Sequence, residues 1–411
     1  THSWSSMQSL FSLVGVVAIL LVAFAMSSNR RAIRPRTIGV AFLLQAVLAA
    51  VVLYVPQGGA LLDRVVRGFQ HIIDYSNAGI EFVFGTQIVP TLGVTIAFNV
   101  LPVIIFFAAL MSLLYYLKIM PLFVGTVGGW LHRLIGTSEA ESISAASNIF
   151  VGHTDAPLVV RPFLAKMTES ELFAVMTGGC ATIAGGVMMA YATMGVELKY
   201  LITASLMAAP GGLLIAKILV PETEVPAGAD SLPEPAPEDQ PVNVFEAIGN
   251  GAMTGLNIAV SVAAMLIAFV ALIYMLNGIL TWAGSLVGLD DLTLQGILGH
   301  LLAPVAFLLG VPWEEAGMAG SLIGQKFVIN EFFAYLAFTE VRDTLSPYTQ
   351  IVVTFALCGF SNLGSIAILL GGLGSVVPGR RHDIARLGLK AVIGGTLVNL
   401  MNAALAVSYT H

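Results

Sequence analysis

Residues 138–165 read SEAESISAASNIFVGHTDAPLVVRPFLA, and residues 312–341 read PWEEAGMAGSLIGQKFVINEFFAYLAFTEV. Both stretches are mostly apolar, yet each is interrupted in its middle. The interruptions are Gly152-His153-Thr154-Asp155-Ala156-Pro157 and Gly324-Gln325-Lys326-Phe327-Val328-Ile329-Asn330-Glu331. The arm from Ser138 to Val151 would make about 21 Å of helix at 1.5 Å per residue, too short for a hydrocarbon core about 30 Å thick. An apolar segment that enters such a core and cannot cross must turn back, so each stretch is predicted to be a re-entrant helical hairpin. A polar tip is tolerated at that depth only where it is buried in protein or lines a water-filled cavity.

The rest of the chain supplies the membrane. Of 411 residues, 57% are hydrophobic and 10% charged, against about 25% charged in an average soluble domain, and mean hydropathy is +0.89. Continuous rather than alternating apolar runs exclude a β-barrel. Spans are expected at about 9–27, 38–55, 90–117, 170–192, 198–219, 244–280, 346–370 and 384–408, eight crossings in all. The stripe Leu61, Leu62, Val65, Val66, Phe69, Ile72, Ile73, with Asp63, Arg64 and Arg67 opposite, suits a helix lying in the interface, and a second is expected at 122–135. The Pro-rich acidic segment 221–241 reads as a solvated linker. Cys180 and Cys358 both fall in apolar segments, which argues against a disulfide framework, and a net charge of −6 offers no surface for nucleic acid.

Arg30, Arg31, Arg34 and Arg36 place the first loop in the cytoplasm by the positive-inside rule. Propagating eight crossings puts 13 basic residues on that side and 4 on the other, with both termini extracytoplasmic. The two hairpins also repeat. Gly136-Thr137-Ser138-Glu139-Ala140-Glu141 parallels Gly310-Val311-Pro312-Trp313-Glu314-Glu315, and each hairpin leads into a capped span, at Thr168 and at Ser346. The offset drifts only from 174 to 178 residues, and three intervening crossings invert the second copy. Inverted repeats with discontinuous helices mark secondary transporters whose site lies between the repeats.

A carboxylate at bilayer centre costs about 2.5–3.5 kcal/mol on the insertion scale, so Asp155 and Glu331 at the hairpin tips require compensation. Two readings stand open for them: a cap on the second hairpin arm, or a ligand-binding role. With His153, Thr154, Gln325, Asn330, Asn362 and Ser365 they form a donor and acceptor set suited to a neutral, multiply hydroxylated solute. Phe332 and Phe360 adjoin it and would suit a flat base or plain packing. Asn148, Thr182 and a carbonyl near Val151 offer oxygens to a hard monovalent cation, or make ordinary interhelical hydrogen bonds. Lys326 is expected to snorkel or to pair with a hairpin glutamate. The runs Gly178-Gly179, Gly185-Gly186 and Gly371-Gly372 follow no strand, so they read as close-packing positions rather than a nucleotide-cofactor loop, and no organic cofactor is expected. The alternatives are a proton- or cation-coupled carrier of another neutral polar solute and, more remotely, an intramembrane hydrolase using Ser361 or Ser365 with His153.

The stretch Ser147-Asn148-Ile149-Phe150-Val151-Gly152-His153-Thr154-Asp155-Ala156-Pro157-Leu158, together with Val328-Ile329-Asn330-Glu331-Phe332 and Cys358-Gly359-Phe360-Ser361-Asn362-Leu363-Gly364-Ser365, resembles the bacterial concentrative nucleoside transporters. The resemblance implies a homotrimeric, all-α, elevator-type symporter in the cytoplasmic membrane, importing a uridine-like nucleoside on a sodium gradient. It implies a scaffold from 1–135 and 243–309, and a transport domain from 136–220 and 310–411, with 221–242 as linker. By motif position, His153, Thr154 and Asp155 with Val187 would read the base. Glu331, Asn362 and Ser365 would hold the ribose, with Phe360 packed nearby. Sodium would be bound by Asn148, Thr182 and the carbonyls of Val151 and Ile183. The first tip departs from the family, whose usual Gln-Thr/Ser-Glu is His-Thr-Asp here.

Overall fold

The computed structural model describes residues 2–87, 95–153, 160–228 and 240–408, and among these every regular element is a helix. In chain order they are α1 His2–Ala25, α2 Pro35–Tyr54, α3 Pro56–Phe84, α4 Leu101–Tyr116 (led by a π turn, Ile96–Val100), α5 Ile119–Ile135 and α6 Glu139–Ser147. Then follow α7 Arg161–Leu164, α8 Glu169–Ala181, α9 Gly185–Thr193, α10 Leu198–Leu219, α11 Val244–Leu286 and α12 Leu294–Leu308. The chain closes with α13 Trp313–Val328, α14 Glu331–Val341, α15 Pro347–Leu357, α16 Ser365–Val376 and α17 Arg381–Ser408.

Among the described residues, seven segments are long and apolar enough to cross a bilayer, and they coincide with seven of the eight expected spans. The eighth, 346–370, is divided into α15 and α16 by Cys358–Gly364. The expected interfacial stripe falls on α3, and the stretch 122–135 falls within α5.

Local chemistry explains where the hairpins begin. Gly136 and Gly310 both adopt positive φ, +85° and +97°, which lets the chain leave α5 and α12 in the left-handed region that side chains disfavour. The turn at Gly310 bends α12 from α13 by 114°. Ser138 then caps α6: its hydroxyl accepts from Glu141 N, and Glu141 Oε1 accepts from Ser138 N at 2.7 Å. Thr168 and Glu171 form the same reciprocal box on α8, and Ser346 accepts from Thr349 N at the start of α15. The two copies are thus built alike: a hairpin, a helix broken midway (α8/α9 and α15/α16), and a closing span (α10 and α17).

Burial separates two kinds of span. In the apolar 18-residue stretches of the α8–α9 and α10 spans 94% of residues are buried, against 17% in that of α11. α17 packs against α8, α10 and α15, and α10 against α2, while α4 lies along α11. Glycine mediates close approach where the sequence suggested: Gly178 meets Gly212, Gly185 meets Phe107, and Gly186 meets Ile104. Gly371 differs, because it faces open space.

Candidate functional site

The two broken helices meet at their breaks. α8 ends at Ala181 and the chain restarts as α9 at Gly185; α15 ends at Leu357 and restarts as α16 at Ser365. Unwound backbone carries unpaired donors and acceptors, and here the two gaps serve each other: Phe360 N donates to Thr182 O at 3.1 Å. The hairpins join the same junction. Gly185 N donates to Phe150 O (2.8 Å), and Leu363 N donates to Phe327 O (3.0 Å).

Glu331 stands at the first position of α14 and is buried. The N-cap of that helix is Asn330, whose side chain accepts from Phe333 N at 2.8 Å, so the neighbouring carboxylate is not the capping group of the N3 amide. Tyr191 Oη donates to Glu331 Oε1 at 2.9 Å, and Asn362 Nδ2 lies 3.5 Å from Oε2. Asn362 is itself oriented by the carbonyl of Phe360 (3.2 Å) and by Ser365 N, which donates to its Oδ1 (3.1 Å). Ser365 Oγ donates to the Phe360 carbonyl as well. Glu331, Asn362, Ser365 and Phe360 therefore form one cluster on two elements.

On the other side, His153 is buried with its ring centroid 4.8 Å from that of Phe360, and neither ring nitrogen has a hydrogen-bond partner among the described residues. Its backbone lies against Gly179, where a Cβ would stand 2.7 Å from His153 Cβ. Val187 is buried one helical turn before Tyr191, on the face that meets Glu331. Thr154 and Asp155 lie outside the described residues. Gln325 turns elsewhere, donating to Ser321 Oγ at 3.0 Å.

Two of the four residues assigned to a cation, Asn148 and Thr182, meet at Gly178. Thr182 Oγ1 donates to Gly178 O at 3.0 Å, which commits its proton and leaves its lone pairs to accept. Asn148 abuts the same glycine, and its Oδ1 is buried without a partner among the described residues. An orphaned amide oxygen and a hydroxyl with its lone pairs left to accept are oxygen donors of the kind a hard monovalent cation takes, and Val151 and Ile183 stand in non-helical backbone whose carbonyls are of the same kind.

Two residues were not legible as participants. Tyr191 sits in an apolar helix and also packs on Phe332 and Tyr335. Asn399, in α17, bonds both broken helices and Lys326. Lys326 does not snorkel: it is 1% exposed and donates to Asn399 Oδ1 (2.6 Å) and Ala356 O (3.2 Å), and with Glu331 it interacts electrostatically without a salt bridge among the described residues. The aliphatic stem is too deeply packed to reach an interface.

Family models match nearly the whole chain: Na+ dependent nucleoside transporter N-terminus over residues 14–87, nucleoside recognition (Gate) over 97–197, and Na+ dependent nucleoside transporter C-terminus over 200–407. The chain belongs to the Na+ dependent nucleoside transporter family. Its relatives in this family include the nucleoside permease NupC of Helicobacter pylori, 50% identical with 97% of each chain covered. Sodium/nucleoside cotransporter 1 of Rattus norvegicus is 38% identical over 97% of this chain and 63% of its own. The solved structure of CNTnw in an inward-facing substrate-bound state superimposes with TM-score 0.95 at 50% identity, covering 98% of both chains. A CNTnw variant in an outward-facing state gives TM-score 0.96, covering 98% of this chain and 99% of that one. Family members are transporters and not enzymes. The serines offered to a hydrolase are engaged elsewhere, Ser361 with Asn399 Oδ1 (3.0 Å) and Ser365 with the Phe360 carbonyl.

Proposed function

We propose that the chain imports nucleosides of the uridine type across the cytoplasmic membrane in symport with sodium. The observation that carries the reading is the Glu331 carboxylate, buried beside the N-cap Asn330 and aligned by Tyr191 and Asn362 beside Ser365 and Phe360. A carboxylate and an amide side by side accept from and donate to a vicinal diol, as ribose hydroxyls require. The base would lie between His153 and Phe360, near Val187, with Thr154 and Asp155 reading its edge. Sodium would take oxygens from Asn148, Thr182, Val151 and Ile183.

The movement we propose is an elevator. Residues 136–220 and 310–411 would travel as one body against a scaffold of 1–135 and 243–309, joined by the 221–242 linker. The burial contrast supports this division, since the repeat helices share a common core and α11 is exposed along most of its length. Val260, Ile267, Tyr274 and Trp282 on α11 form an apolar face suited to the homotrimer contact. Both termini would be extracytoplasmic. The test is radiolabelled uridine uptake into proteoliposomes. Uptake should respond to an inward sodium gradient and be lost in Glu331→Gln; uptake indifferent to both would end the reading, and a proton-driven response would reassign the coupling ion.

A further inference from the structure

Lys326 is a buried cation without a counter-ion within salt-bridge distance among the described residues. Burying an ammonium in this way is costly, and its hydrogen bonds must offset the loss of water. Its principal partner explains the arrangement. Asn399 Oδ1 accepts from Lys326 Nζ (2.6 Å) and Ser361 Oγ (3.0 Å), while its Nδ2 donates to Ala181 O (2.8 Å) and Cys358 O (2.9 Å). All four bonds available to a side-chain amide are thus made. Ala181 immediately precedes Thr182 and Ile183, the residues assigned to sodium. Cys358 and Ser361 bracket Phe360 and precede Asn362, which are assigned to the nucleoside. One amide therefore ties the backbone of the cation segment to that of the nucleoside segment. The lysine fixes which way the amide points, because an ammonium can face only its oxygen.

We propose that Lys326 and Asn399 are positioning residues that couple the two sites, so that ordering of 181–184 by sodium orders 358–362 for the nucleoside. This rests on the sodium and nucleoside reading above. Neither residue need touch either ligand. The Phe360 N to Thr182 O bond is a second link between the same segments, and the amide sets the distance across which it forms.

Coupling is reciprocal and is read as a ratio, the uridine Kd without sodium divided by that at saturating sodium; ratios of about 5–150 are typical of coupled sites. The experiment measures this ratio by titration calorimetry on the purified full-length protein, with choline replacing sodium. Asn399→Asp keeps the size and the bond to Lys326 but gives up both donors, and Lys326→Met keeps the stem but removes the charge. In each the ratio should fall to within about twofold of one, with uridine affinity in choline changed less than about threefold. Equal weakening of uridine binding with and without sodium would show a structural role only and overturn the proposal, as would a wild-type ratio in both variants. A second measurement avoids variants: sodium alone should slow amide hydrogen exchange at 358–365 in the unaltered protein, and no change there would overturn the proposal. A wild-type ratio of one instead defeats the underlying sodium and nucleoside reading, which separates the two failures.

Discussion

Glu141 and Glu315 occupy equivalent positions in the two repeats, 174 residues apart, yet their partners differ. Glu141 faces Lys217 Nζ in an ion pair whose side chains are 3% and 7% exposed, and Lys217 also donates to Ser170 Oγ at 2.7 Å. Glu315 has hydroxyl and amide partners: Ser346 N and Oγ, both at 2.8 Å, and Thr349 Oγ1. Each carboxylate fastens its hairpin base, Glu141 to the closing span and Glu315 to the following broken helix. Glu141→Gln leaves an ammonium buried without its counter-ion, which should cost about 3–5 kcal/mol. Glu315→Gln keeps an oxygen able to accept most of the same bonds, and should cost about 1–2 kcal/mol. The pair Glu141→Gln with Lys217→Met removes both charges and should lose much less than the two single losses added together, because each single change strands its partner. Unfolding in detergent micelles followed by tryptophan fluorescence measures the order. Equal losses at 141 and 315, or an additive double variant, would refute the assignment of Lys217 as the cause of the asymmetry.

Further outcomes follow from the site. Tyr191→Phe removes the donor to Glu331 Oε1, and a hydrogen bond to a charged group is worth about 1.5–3 kcal/mol; uridine KM should rise about tenfold or more in uptake assays, with the sodium dependence little changed. Gly179→Ala puts a methyl 2.7 Å from His153 Cβ and should displace the first hairpin tip, abolishing uptake while the protein still elutes as a folded oligomer in size-exclusion chromatography. Sodium at 100 times its Kd should stabilise the wild type by about 2.7 kcal/mol, seen as a raised Tm relative to choline. Asn148→Ala should remove that rise, and persistence of the sodium shift would displace Asn148 from the cation site.

Much of the fold was legible because its decisive features are local. Hairpin boundaries follow from a positive-φ glycine, a serine or threonine cap, or a proline in the first turn, all visible as residue types at short spacing: Gly136 with Ser138, Gly310 before Pro312, Thr168 with Glu171. The breaks within the expected spans 170–192 and 346–370 were harder to see. Hydropathy averages over Cys358–Gly364 and returns a single span, because the cost of unwinding is met by bonds to Thr182 and Asn399, which are distant in sequence.

The same distinction governs the site. Glu331 and Asn362 announce themselves because a charge or amide in an apolar run is expensive and needs a reason. Tyr191 does not, since a tyrosine in an apolar helix is ordinarily a packing residue, and only the carboxylate 140 residues away shows what its hydroxyl is for. Asn399 is the extreme case. Its two carbonyl partners lie 218 and 41 residues earlier, and both are backbone groups, which leave no trace in the identity of the residues that own them. A side chain that works by satisfying unwound backbone is therefore invisible until the backbone is seen to unwind. The corrected reading of Lys326 follows from the same cause: a lysine judged by its own helix should snorkel, but one judged by the acceptor that α17 places over it has a stronger reason to stay.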